Sequence, residues 1–177
     1  MKLLGKKIIL RPIKLTDASR FVTWLSDAEV NKFTTRKSIT LKDERKWIQR
    51  LVKIKKTEHH FAIDTKEEIH IGSEGLFLDL ADKTARFGIM IGDKDYWNRG
   101  CGTDAIETIL NYAFNRLKLH KIYLSVFSYN ERAIRVYKKL GFKVEGVRRE
   151  DIFYKNKRYD LIEMGILKRE WQKLNKK

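Results

Sequence analysis

The sequence holds one cysteine, Cys101, and four scattered histidines, His59, His60, His70 and His120. A lone cysteine excludes an intramolecular disulfide, and the histidines fall at no spacing that suits a zinc site, so no structural metal is expected. No run of about 18 apolar residues is present to cross a bilayer as a helix. The N-terminal MKLLGKKIILRP carries a charged pair where a signal peptide needs its apolar centre. A soluble, cytoplasmic protein with no membrane association is therefore expected. Linkers, internal repeats and low-complexity segments are also lacking. The 177 residues, 42% of them hydrophobic, are expected to form one domain around a continuous core.

What the chain has in excess is positive charge: 39 Lys and Arg against 23 Asp and Glu, a formal net charge of +16. Such a field attracts phosphates, nucleic acid and anionic surfaces and disfavours free polycations as ligands. A heat-adapted or compositionally biased proteome accounts for the excess equally well. Charge alone selects no function.

Periodicity divides the chain. Residues 8–13 read as a first strand. Thr16 is placed to cap a short helix burying Ala18, Phe21, Val22 and Leu25; Thr40 is placed to cap a second, with Trp47, Ile48, Leu51, Val52 and Ile54 as its apolar stripe. Four short β-like runs follow, at 61–64, 69–71, 76–80 and 85–91, in the manner of an antiparallel meander. Residues 102–118 repeat apolar side chains at helical spacing, residues 121–127 read as a buried strand, and Asn130 opens a helix that Gly141 ends. Strand resumes at 142–149, a last hairpin spans 152–167 around Lys155-Asn156-Lys157, and a charged tail from Lys168 is expected to fray. This order predicts a mixed α/β sheet with a helix-connected parallel pair in its middle and helices on both faces.

The stretch DYWNRGCGTDAI places Gly100 and Gly102 directly before the helix of residues 102–118. Gly100, Gly102 and Ala105 satisfy the dinucleotide pattern G-x-G-x-x-A, but the preceding strand ends about eight residues too early, and no carboxylate near residue 122 is present to hold a ribose. A P-loop fails for want of a Gly-Lys-Ser/Thr. What survives is a small-residue loop feeding a helix N-terminus, whose free N–H groups favour phosphate. A plain turn and helix cap fits the glycine pair equally well.

The neighbouring segments separate these readings. Strand ARFGIMI, loop DYWNRGCGTDAI, strand KIYLSVF and then NERAIRVYKKLGFKVEGV together resemble the acetyl-coenzyme-A-binding core of the GNAT N-acetyltransferases. The closing RREDIFYKNKRYDLIEMGIL is similar to the ending of the branch that contains ribosomal-protein N-terminal acetyltransferases and spermidine acetyltransferases. The resemblance runs from LRPIKLTDA onward. It implies an α/β (α+β) fold whose mixed, mostly antiparallel sheet has seven strands and a splayed central parallel pair. It also implies acetyl-coenzyme A as cosubstrate, no metal, and a homodimer as a common assembly.

In that family a loop of the form Gln/Arg-x-x-Gly-x-Gly/Ala cradles the coenzyme A pyrophosphate on its amides, which maps the donors to Asn98, Arg99, Gly100, Cys101, Gly102 and Thr103. Trp97 stands where the Gln or Arg should open the loop, so the grip falls to the backbone and Arg99. The family's splay implies that Ile89, Met90 and Ile91 have unpaired backbone groups for pantetheine to meet like an added strand. Asn130 has two compatible roles, helix cap and polar contact to the pantetheine arm. Among Arg132, Arg135, Lys138 and Lys139, the candidates for the coenzyme phosphates are Arg132 and Lys139.

Amide formation needs a neutral amine, donors that polarise the thioester carbonyl, and a proton for the departing thiolate. Tyr137 matches the tyrosine that many GNAT enzymes place beside the coenzyme sulfur; half-buried packing on the sheet is its alternative. The usual base, a Glu in a segment like Ala-Glu-Phe-Gly, is replaced by Arg86 in Ala85-Arg86-Phe87-Gly88. Glu74, on a neighbouring strand, is the remaining candidate, acting directly or through water, against the plain reading of a solvated carboxylate. Asp160 matches an acidic position of the closing hairpin, and a structural hydrogen bond explains it as well. Cys101 at a helix start is no nucleophile on this reading, because no His is positioned to activate it.

The expected function is direct acetyl transfer to a primary amine, first a protein N-terminus, as on a ribosomal protein, with the basic enzyme docking near ribosomal RNA. A polyamine ranks second, because a +16 chain does not collect polycations without a locally acidic cleft. A non-enzymatic alternative is a nucleic-acid-binding module using the aromatic-basic cluster Tyr154, Lys155, Lys157, Arg158 and Tyr159.

Overall fold

A computed structural model describes residues 1–34, 39–51, 53–54 and 56–175. The chain begins with β1 (Leu3–Leu4) and β2 (Ile8–Pro12), then a 3-10 turn (Leu15–Asp17), α1 (Ala18–Ser26), α2 (Ala28–Asn31) and α3 (Leu41–Leu51). Strands β3 (Glu58–Thr65), β4 (His70–Asp79) and β5 (Thr84–Ile91) form the meander. Helix α4 (Cys101–Asn111), extended by a π-helical turn (Tyr112–Arg116), leads to β6 (Lys121–Phe127) and α5 (Glu131–Lys139). A hairpin of β7 (Lys143–Tyr154) and β8 (Lys157–Leu167) precedes α6 (Lys168–Leu174).

All eight strands join one sheet in the order β1-β2-β3-β4-β5-β6-β8-β7. Every pairing is antiparallel except that of β5 with β6. Alternation along the strands sends side chains to two helical layers. Leu76, Phe87 and Ile89 pack with α4 and α5 in the main core, whereas Met90, of opposite parity, packs with Phe21 and Trp24 of α1 and Ile48 of α3. Helices thus cover both faces, as the mixed α/β reading requires.

Several local expectations change. The sheet has eight strands rather than seven, because β1 is a two-residue edge too short to show a period. The runs at 69–71 and 76–80 are one strand, β4, across Gly72-Ser73-Glu74-Gly75. Those glycines serve close packing: a Cβ on Gly72 would lie 2.2 Å from the Met90 carbonyl oxygen, and one on Gly75 would lie 2.7 Å from His60 Nδ1. Likewise β7 runs unbroken in assignment from 143 to 154, with register shifts where the sequence suggests an end. Thr16 lies inside the 3-10 turn instead of capping α1; the Asp17 carboxylate accepts from Lys14 N at 2.7 Å. Thr40 does cap α3, its Oγ1 accepting from Asp43 N at 3.2 Å. Ile54 falls beyond the end of α3, and Val52 of the same stripe lies outside the described residues.

Two buried charge clusters lock the N-terminal segment to the rest. Arg11 bonds both oxygens of Asp17, at 2.8 and 2.9 Å, and donates Nε to Asp64 at 2.6 Å. Asp104, in the first turn of α4, accepts from the backbone N–H groups of Lys6, Lys7 and Ile8 at 3.0, 2.6 and 3.1 Å. The second cluster fixes the start of α4 against the β1–β2 turn, which sets the position of the glycine loop just before it.

The charged tail does not fray at its start. Residues 168–174 form α6, whose Glu170 carboxylate accepts from Leu167 N at 3.0 Å. Trp171 is 4% exposed and meets Phe114 at 6.4 Å between ring centroids. Charge at Lys168, Arg169 and Lys173 hides one apolar anchor, which a composition-based reading misses. Trp171→Ala is expected to cost about 3 kcal/mol or more in urea denaturation, through lost burial and a residual cavity. A loss below about 1 kcal/mol would show that α6 does not dock.

Candidate functional site

The site follows from how β5 and β6 pair. Their parallel register covers only Thr84 with Lys121, Ala85 with Ile122 and Arg86 with Tyr123. Beyond it β5 stays in register with β4 as far as Ile91, and β6 with β8 as far as Phe127, so each strand is held on its outer side while the inner edges part. The resulting wedge opens into a cleft of about 780 Å³ that passes between the helical layers. Ile89, Met90 and Ile91 line it from β5, and Ser125, Val126 and Phe127 from β6. One backbone group of the wedge is taken: Trp97 Nε1 donates to the Ile91 carbonyl at 2.8 Å. Ile89 and Met90 keep an inner edge with no strand partner, which an extended amide-bearing ligand can fill.

The glycine loop stands at one end of this wedge. Asn98 (φ 60°) and Gly100 (φ 81°) both adopt left-handed backbone, and Gly100 is the N-cap of α4. The first bond of the helix runs from Asp104 N to Gly100 O at 3.0 Å, so the amides of Cys101, Gly102 and Thr103 precede the ladder. With the positive end of the α4 dipole they form an anion site. Asn98, Gly100, Gly102 and Thr103 line the cleft directly; Arg99 stacks on Tyr96 at 5.6 Å and Cys101 is buried behind the loop. Burial pushes the Cys101 thiol up, and the opposing pull of Lys7 does not reverse it. That protonated thiol fits no nucleophilic role.

Two cations complete the loop. Lys7 Nζ donates to the Arg99 carbonyl at 2.8 Å and lies 3.4 Å from where a Gly100 Cβ would stand. Nothing in the sequence connects Lys7 to residue 99; the Asp104 tie brings them together. Arg132, on α5, lays its guanidinium over the Trp97 ring at 4.1 Å and lines the cleft. Trp97 thus holds a cation beside the loop whose opening Gln or Arg it replaces. Lys139 sits on the exposed last turn of α5 and is not among the described residues that line the cleft. Asn130 caps α5, its Oδ1 accepting from Ala133 N at 3.3 Å, and lines the cleft as well, so its two roles are compatible.

Tyr137 and Glu74 face the cleft from the α4/α5 side. Tyr137 is 7% exposed, and burial, with a smaller contribution from the Glu74 charge, pushes its hydroxyl well above the ordinary tyrosine range. It remains a neutral O–H donor at physiological pH. Glu74 is 3% exposed, and among the described residues neither carboxylate oxygen has a hydrogen-bond partner. Burial, reinforced by the Asp104 charge, raises its pKa well above 4.5. The solvated-carboxylate reading of Glu74 does not hold; the group is a buried, proton-binding neighbour of Tyr137.

The opposite face of the wedge carries residues that sequence reasoning passed over. Gly88 has open space where its Cβ would be. Beside it stand Gly75 and His60, whose Nε2 lies 2.7 Å from Glu58 Oε2, with Trp47 and Phe77 edge-on to the imidazole at 5.4 and 5.2 Å. The strand read from the sequence begins at residue 61, whereas β3 begins at Glu58, so no sequence signal placed His60 on this face. Asp160 is structural: its carboxylate accepts from Glu150 N at 2.9 Å.

An acetyltransferase (GNAT) domain model matches residues 7–143. The chain belongs to the GNAT acetyltransferases. It is 33% identical over 160 residues to the probable N-acetyltransferase YjcK of Bacillus subtilis, covering 84% of this chain and 87% of that protein. It is 31% identical over 115 residues to the spermidine N(1)-acetyltransferase of Escherichia coli K12, covering 65% and 61%. The putative ribosomal N-acetyltransferase YdaF of Bacillus subtilis matches at 30% over 95 residues, covering 54% and 51%. The fold is shared with the spermidine N-acetyltransferase of Vibrio cholerae in complex with CoA and spermine. That structure has a TM-score of 0.86 at 23% identity, with 93% and 98% of the chains covered. As a GNAT acetyltransferase the protein is an enzyme that uses acetyl-coenzyme A, and the loop amides, the open β5 edge and the flanking cations suit that cosubstrate.

The buried Glu74 has a measurable consequence. Below pH 4.5 the carboxyl is protonated in both folded and unfolded chains; above it the unfolded chain releases the proton while the folded chain must keep it or bear a buried charge. Stability contributed at this site therefore falls as pH rises toward the folded pKa. The Glu74→Gln variant is expected to gain stability relative to the parent as pH rises above the ordinary carboxylate range in urea melts. A difference independent of pH would refute the raised pKa.

Proposed function

We propose that this GNAT acetyltransferase acetylates a protein N-terminal amine, and that a ribosomal protein is its target. The observation that carries this choice over a polyamine is the charge of the cleft. Among the described residues lining it, the only carboxylate is Glu74, which is buried on the Tyr137 side with its pKa raised by that burial, whereas Arg86 and Arg132 contribute cations. A polyamine must seat several ammonium groups, and nothing here neutralises them. A peptide N-terminus brings one amine on a chain whose amides suit a cleft with an open strand edge. The +16 charge favours docking beside ribosomal RNA. A cytoplasmic homodimer belongs to the same reading, with the long edge strand β7 and its exposed Val144, Val147 and Phe153 as the contact.

Acetyl-coenzyme A supplies an activated acetyl group when bound. The amides of residues 101–103 together with Lys7 and Arg132 hold its phosphates, and Asn130 with the inner edge of Ile89 and Met90 holds the pantetheine arm. In the net reaction a nitrogen–carbon bond forms, a carbon–sulfur bond breaks, and the proton lost by the amine balances the one gained by sulfur. Tyr137 Oη is a neutral donor lining the cleft, and it supplies a proton to the departing sulfur as the carbon–sulfur bond breaks, to be replaced by the one the amine loses. Glu74, next to it, is the group that can restore that proton.

Thiol release in the presence of acetyl-coenzyme A is expected with peptides bearing free N-termini, above hydrolysis and above the rate with spermidine or spermine. Faster release with polyamines would move the acceptor to that class. Tyr137→Phe is expected to lower kcat by about a hundredfold, within the range of positioned acids, while coenzyme A affinity by calorimetry changes by less than about threefold. Unchanged kcat would remove Tyr137 from the acid role.

A further inference from the structure

Among the described residues, Arg86 is a cation of the cleft that rests on an aromatic ring and forms no ion pair. Arg86 is the last residue of β5 paired with β6, opposite Tyr123, so it stands where the wedge begins to open. On its other side it pairs with Phe77 of β4, and its guanidinium lies over that ring at 4.3 Å. It shares the face of Gly88, two residues on, where the sheet surface is open, and both line the cleft. The residue is exposed, and among the described residues no carboxylate forms an ion pair with it.

The carboxylates nearest along these strands are already engaged. Glu58 is bound to His60 at 2.7 Å. Glu163 accepts from Ser125 Oγ at 2.7 Å and lies 3.8 Å from Arg148 Nη1. Glu74 points to the other face. A planar cation that rests on an aromatic ring and lines an open cleft suits a two-oxygen anion. The ring limits the motion of the guanidinium, so little freedom is lost when the anion binds.

We infer that Arg86 is a specificity-determining residue that selects acceptors bearing a carboxylate close to the reacting amine. The inference rests on the peptide reading above, and for a peptide it means an acidic side chain at the first or second position. An ammonium-rich acceptor meets Arg86 as a like charge, whereas an acidic one forms the ion pair that the protein leaves open.

The experiment measures kcat/KM by thiol release for paired peptides that differ only in Asp or Asn at the first residue, alongside free aspartate, in the parent, Arg86→Gln and Arg86→Glu. Coenzyme A binding by calorimetry confirms that each variant is folded. The parent is expected to prefer the Asp peptide by about tenfold or more. The preference should approach unity in Arg86→Gln and invert in Arg86→Glu. Equal rates for both peptides in the parent, or a preference that survives Arg86→Gln, overturns the role of Arg86 and leaves the peptide reading intact. Turnover of free aspartate without either peptide overturns the peptide reading while supporting carboxylate selection. Absence of turnover with all three overturns both.

Discussion

The short parallel contact between β5 and β6 is the constraint on which the site depends. Three residue pairs join the two halves of the sheet, and past Arg86 and Tyr123 each strand follows its antiparallel neighbour instead. Antiparallel ladders on the outer edges keep both strands ordered, so the open inner edge of β5 persists without a compensating partner. An unpaired edge inside a protein is normally a liability. Here it is the surface on which an amide-bearing cosubstrate is expected to lie.

Everything else at the site is placed relative to that wedge. Asp104 secures the first turn of α4 to the backbone of Lys6, Lys7 and Ile8, which aims the loop amides and brings Lys7 to the loop. Trp97 uses its two ends separately, the indole N–H on the Ile91 carbonyl and the ring face under Arg132. The sheet then separates two environments: Tyr137 and Glu74 are buried on the α4/α5 side with raised pKa values, and Gly88, His60 and Arg86 lie on the opposite face. Even side-chain parity on β4 and β5 produces this separation, since neighbouring residues point to opposite faces.

The electrostatics of the cleft are what the proposed choice of acceptor rests on. A relative named for spermidine and a structure with spermine show what the architecture accommodates in those proteins. In this chain Arg86 and Arg132 line the cleft with Glu74 as the one carboxylate among the described lining residues, and the proposed acceptor follows the sign of that field.

Much was legible before any coordinate. The alternating meander, the helical periods behind the glycine pair and the cap at Asn130 are local patterns, and local patterns survive in sequence because each residue reports its own backbone state. That the glycine loop and Tyr137 would line one cleft followed from several motifs occurring in one order. Long-range proximity was not. Lys7 beside residue 99, the stacking of Arg132 on Trp97, the placement of Trp171 under a charged tail and the burial of Glu74 depend on segments far apart in the chain. Burial decides whether a carboxylate is a solvated surface group or a retained proton, and only packing sets burial. Sequence determined the elements and the family; tertiary structure decided which charges stay exposed, which are lost to the interior, and which face of the cleft each one serves.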